Sequence, residues 1–144
     1  MQSIIEPPGG EGRVEMSESE VYALLINGFR EVSTTLDQTL STLAADPVLD
    51  ELANRVEPLQ ESDEIRQAIL YVLDSHQEFS GAAEIVQYFA DRFQWAWMRD
   101  EVEKRYLDCL ANRDIRLTRH FERMLEAFSP DWEDRELFPS LDRH

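Results

Sequence analysis

From Ala82 to Ser129 the chain runs 48 residues without a glycine or a proline. Those two residues punctuate helices more strongly than any others, so a stretch this long without either points to helix. One unbroken helix of that length would far exceed what globular domains use, and the stretch has to divide. The expected division is Asn112-Arg113-Asp114. A helix running through it would put Arg113 and Asp114 on the stripe otherwise made by Tyr106, Leu110, Leu117 and Phe121. A new helix capped by Asn112 or Asp114 avoids this, with Leu117, Phe121, Met124 and Phe128 facing inward.

Upstream, Ser17 and Glu20 form a capping box, and Met16 with Val21 occupies the positions of a hydrophobic staple. Val21, Leu25, Phe29, Val32, Leu36, Leu40 and Leu43 then recur at helical spacing. Gly28 lies beside that stripe, where a neighbouring helix can approach closely. The spacing predicts a second helix capped by Asp46, with Pro47 at its first position, Leu49, Leu52, Ala53 and Val56 inside, and Pro58 at its end. Ser62 caps a third, which buries Ile65, Ala68, Ile69, Val72 and Leu73 and breaks near Ser80-Gly81. Ser129 and Pro130 read as the start of a short last helix carrying Trp132, Leu137 and Phe138.

Nothing alternates as a hairpin. The expectation is therefore an all-α single domain of five to six helices, residues 16–141, packed as a bundle or a short two-layer helical stack. Residues 1–15 hold Pro7, Pro8, Gly9, Gly10 and Gly12 and read as a flexible N-terminal tail.

Thirty acidic residues against 14 basic ones leave a net charge of −16, and Lys104 is the one lysine. Such a balance disfavours direct nucleic-acid binding and anionic membranes and favours a basic protein partner. The first residues have neither the basic nor the apolar region of a signal peptide, and no run approaches 18 apolar residues. A single cysteine, Cys109, allows no intrachain disulfide. These features set the expectation of a cytoplasmic protein.

The charge is uneven. Residues 1–91 carry 4 bases and 18 acids, 92–123 carry 8 and 6, and 124–144 carry 2 and 6. The acids crowd at 46–64, where Asp50, Glu51, Glu57, Glu61, Asp63 and Glu64 form a block suited to steering a basic partner. Phe93, Trp95 and Trp97 sit within five residues. On one continuous helix the two tryptophans would lie about 200° apart, Trp97 in the core and Trp95 aligned with Tyr88, Arg92 and Arg99. That second face has the composition of a binding hot spot. Arg116, Arg119, His120 and Arg123 share a helix face and make a candidate anion site, with mutual Arg–Glu pairing as the structural alternative.

Catalytic signatures are missing from the sequence. The histidines, His76, His120 and His144, have no paired-ligand spacing, so no metal or cofactor is expected, and proximity of Glu78 and Glu84 to His76 means little in so acidic a chain. Glycine loops and nucleophile elbows are absent too. The functional expectation is a small acidic helical interaction module, a stoichiometric neutraliser of the immunity or antitoxin kind or an adaptor, with Trp95, Tyr88, Arg92 and Arg99 as anchors. The alternatives are a binder of small anionic ligands, or a minor enzyme, with a pocket between helices, and a homodimer through the Trp95 face.

Overall fold

The computed structural model describes residues 17–144. The expected tail, 1–15, and the staple residue Met16 lie outside the described residues. Among the described residues there are six α-helices and no strand: α1 (Glu18–Thr39), α2 (Thr42–Val56), α3 (Asp63–Asp74), α4 (Ala82–Phe93), α5 (Ala96–Ala111) and α6 (Ile115–Glu126). The protein is all-α. None of these helices is long and apolar enough to cross a membrane.

Local chemistry starts most of them. The Glu20 carboxylate accepts the Ser17 N–H at 2.8 Å while the Ser17 hydroxyl accepts the Glu20 N–H at 3.4 Å, closing the capping box of α1. Ser62 caps α3 by accepting the Glu64 N–H at 3.1 Å. The division at 112–114 is real, and Asp114 caps α6 through the Leu117 N–H, also at 3.1 Å.

Four boundaries differ from the periodicity; one is the end of α3, which stops at Asp74 with Ser75 as its C-cap rather than running on to Ser80-Gly81. The first helix stops at Thr39, and Leu40 is left-handed at φ 55°. The Thr39 hydroxyl donates back to the Thr35 carbonyl and accepts the Ser41 N–H, taking over the helical ladder at that point. Ser41, rather than Asp46, then caps α2, so Pro47 falls inside that helix and Leu40 and Leu43 are exposed. The chain also breaks at Gln94, φ 52°, between α4 and α5, where no sequence breaker stands. The last turns begin at Glu133 rather than at Pro130 and form two short 3₁₀ segments, Glu133–Leu137 and Pro139–Arg143.

The helices alternate in direction and form two layers. Arg66 sits over Trp97 and Arg105 pairs with Asp74, so α3 and α5 run parallel. Tyr88 meets Asp50 and Arg92 meets Glu57, so α2 and α4 run parallel. With α1 packed on α3, α4 on α6, and the pairs α1–α2 and α5–α6 facing each other, α1, α3 and α5 make one layer and α2, α4 and α6 the other. This is a short stack of three helical hairpins. Phe29, Leu49, Ile69, Val86 and Phe89 lie at its centre, fully buried. Gly28 lets α2 close on α1, since a Cβ there would run into the Leu52 side chain.

The C-terminal segment straps across α2 and α4. Buried Asp46, not needed as a cap, accepts the Ser140 hydroxyl at 2.7 Å and the Ser140 N–H at 3.1 Å. Asp91 accepts from both Trp132 Nε1 and Arg135 Nε. Asp50 takes Arg143 and His144.

Candidate functional site

The tryptophan region carries a correction. Because the chain breaks at Gln94, Trp95 and Trp97 share one face. Phe93 and Trp95 stack at 4.5 Å with planes 3° apart, and Trp95 and Trp97 stack at 5.5 Å. Arg92 lies 5.4 Å from the Phe93 ring and Arg66 5.1 Å from that of Trp97, so guanidinium groups close the ladder at both ends. Trp95 Nε1 donates to Gln60 Oε1 at 3.2 Å. The left-handed residue costs about 1–2 kcal/mol, while each ring pair returns about 0.5–1.5 kcal/mol and the cation–π contacts add to that. The ring stack, with Arg66 from α3 closing one end, therefore outweighs the backbone penalty.

That same packing dissolves the expected hot spot. Tyr88 is 0% exposed; its hydroxyl lies 2.7 Å from the Ser140 hydroxyl, which is itself committed as a donor to Asp46. Burial raises the Tyr88 pKa, with the Ser140 bond working the other way. The Arg92 side chain is buried and bonds Asn54 and Glu57 at 2.7 Å each. Of the four expected anchors, Trp95 is half-buried in the ladder and only Arg99 stands exposed.

The acidic block is split as well. Asp50 is drawn inward, where burial pushes its pKa up but bonds from His144 and Arg143 bring it below the ordinary carboxylate range. Glu57 is paired with Arg92. Glu51, Glu61 and Asp63 are exposed, Glu64 is half-buried, and among the described residues none of these four has an ion-pair partner.

The expected anion cluster also separates. Arg119 pairs with Glu122 at 2.7 Å and Arg123 with Glu84 at 3.4 Å, which is the structural alternative to ligand binding. Arg116 and His120 remain, and both line an open cleft of about 460 Å³ with His76, Phe79, Ser80 and Asp114. Burial, then the charges of His76 and Arg123, lowers the His120 pKa from 6.5 to about 4. Cys109 is half-buried, and burial together with Asp114 and Asp108 raises its pKa, which favours the unreactive thiol.

The sequence reading missed a surface at the end of the stack. Arg105 is paired to Asp74, the last residue of α3, so the remainder of α5 extends past its layer neighbour. Of α5 only Met98 and Val102 are buried. Leu107 and Leu110 are 53% and 51% exposed and Ile115, at the start of α6, is 83% exposed. Leu110 and Ile115 border a largely apolar groove of about 450 Å³ with Arg113, Thr118, Arg119 and Glu122 on its rim. Periodicity sets Leu110 on an inner stripe, but the protrusion of the hairpin turns it outward. The one available signal was that α5 carries few apolar residues at inner positions beyond Val102.

No protein-family model, curated protein or solved structure matches this chain.

Proposed function

We propose that the chain is a helical interaction module that docks a partner protein on the open end of its stack, the tip of the α5–α6 hairpin. The observation that carries this reading is the adjacency of Leu110 and Ile115 around an apolar groove, with Leu107 one helical turn away. Isolated exposed leucines are ordinary, but a contiguous apolar patch with an arginine rim has the anatomy of an interface. The terminal pair of a helical stack has nothing beyond it to cover its outer face unless a cap or a partner does so.

Charge selects the occupant. Residues 92–123 are the one region with more bases than acids, 8 against 6, in a chain of net −16. Arg113 and Arg119 border the groove and Arg116 lies nearby on α6. The fitting partner offers an apolar helix or loop flanked by acidic side chains. Binding of this kind is stoichiometric, as in an adaptor or a neutraliser. A second reading, a basic partner held by Glu51, Glu61 and Asp63, is supported by their exposure without ion pairs.

Capture from lysate of the source cells, with crosslinking and mass spectrometry to locate contacts, separates these readings. Leu110→Ser/Ile115→Ser should lose the partner at unchanged thermal midpoint, while Glu51→Gln/Glu61→Gln/Asp63→Asn should retain it. The reverse pattern would assign the partner to the acidic face. Equal capture by both variants would remove both readings.

A further inference from the structure

His76 and His120, 44 residues apart in the sequence, meet at the cleft floored by Phe79 and Leu117. Their ring centroids are 5.6 Å apart, with the planes inclined at 50°. His76 Nδ1 and His120 Nε2 are buried, and neither has a hydrogen-bond partner. A buried polar atom without a partner costs about 1–3 kcal/mol, and two of them on neighbouring rings that line one cleft call for a common explanation.

Their spacing is compatible with one, a shared metal ion. A zinc-class ion bonds an imidazole nitrogen at about 2.0–2.1 Å, which places each ring centroid about 3.2 Å from the ion. Two rings sharing that ion at tetrahedral to trigonal angles then have centroids about 5.2–5.5 Å apart. The separation in this protein lies within about 0.1 Å of that range.

We propose that His76 and His120 form a site for a borderline transition-metal cation of the zinc class, bound through His76 Nδ1 and His120 Nε2. Among the described residues no third histidine, cysteine or carboxylate completes a metal-binding trio. The site is accordingly open, and its other positions face the cleft, where water or an anionic ligand completes the shell. Asp114, on the cleft wall, has one carboxylate oxygen committed to capping α6. Arg116 opposes a bare cation but suits an anion carried on it.

The loop holding His76 is braced before any ion arrives. Glu78 accepts from Tyr71 at 2.6 Å and from Arg30 at 2.8 Å, Ser80 donates to Asp37, and buried Phe79 packs edge-on against Tyr71. His120 is held edge-on against Phe121 at 5.0 Å. Two rings held from opposite elements lose little freedom on sharing an ion. The acidic surface raises the local concentration of cations. This site does not depend on the docking surface proposed above.

The test is calorimetric titration of the chelator-treated full chain with zinc, in excess magnesium so that hard carboxylate sites are occupied. One equivalent should bind, and His76→Gln and His120→Gln should each weaken it at least about tenfold. Far-UV circular dichroism without zinc establishes that each variant is folded. In imidazole nitrogen NMR of the wild-type chain, zinc should shift His76 Nδ1 and His120 Nε2 and leave His144 in place. This second readout needs no variant. Zinc binding that magnesium abolishes, that both glutamine variants retain, or that leaves these two nitrogens unshifted overturns the proposal.

Discussion

The first and last hairpins of the stack, with helices of 22 and 15 residues against 16 and 12, use them differently. In α1 and α2, Val21, Leu25, Phe29, Val32, Leu49, Leu52 and Val56 are all buried, and Gly28 brings the two backbones together. In α5 and α6 the buried set shrinks to Met98, Val102, Phe121 and Met124, while Leu107, Leu110 and Ile115 face outward. The strap that Asp46 and Asp50 hold from Ser140 to His144 ties α2 of the first pair to α4, and the apolar residues that pair leaves exposed are Leu40 and Leu43 at its turn. The last has no strap on its tip. The first pair buries most of its apolar stripe, whereas the last leaves three apolar residues, Leu107, Leu110 and Ile115, outside.

Substitutions can break that contrast. Phe29→Ala should have the largest effect, about 3–5 kcal/mol, because a fully buried ring leaves a cavity that surrounding helices cannot fill. Denaturant unfolding measures it, and a loss below about 1 kcal/mol would show that the first pair is not the stability centre. Asp46→Ala should follow at about 2–3 kcal/mol, since it strips the acceptor from both the hydroxyl and the N–H of buried Ser140. Faster proteolysis after Trp132 is the companion readout, because this variant releases the strap.

A third test concerns the histidine cleft under chelating conditions. The folded His120 pKa, about 4, lies below the unfolded value of 6.5, so the unfolded chain binds more protons between those values. Stability from this group is present above about pH 6.5 and is lost as pH falls toward about 4. His120→Gln should flatten that part of the stability profile; an unchanged slope would place the titration elsewhere. The smallest effect belongs to the open tip, where Leu110→Ser/Ile115→Ser should change stability by about 0.5 kcal/mol or less. A larger loss would mean that the tip is folded against something within the chain, and the proposed docking surface would fail with it.

Among these regions the first pair was the most legible. Its capping box and its stripe from Val21 to Leu36 are local patterns that tertiary contacts reinforce. The histidine site could not be read the same way: His76 lies in a loop after α3 and His120 on α6, and no spacing rule relates them. The Trp95 face was not legible because no glycine, proline or capping residue marks the break at Gln94. A glutamine that ends a helix in the left-handed region does so for the ring stack it permits.

By itself the sequence determined the helical class, the caps at Ser17, Ser62 and Asp114, the division at 112–114 and the uneven charge. Each rests on hydrogen bonds, periodicity or counting within a few neighbouring residues. Only the tertiary structure decided that Asp46 secures the C-terminal strap, that Tyr88 and Arg92 are consumed inside, and that Leu110 faces outward. Those outcomes depend on which helix reaches how far past its neighbour. Such relative lengths emerge when the layers pack, because burial is a property of pairs of elements and no single stretch of sequence contains it.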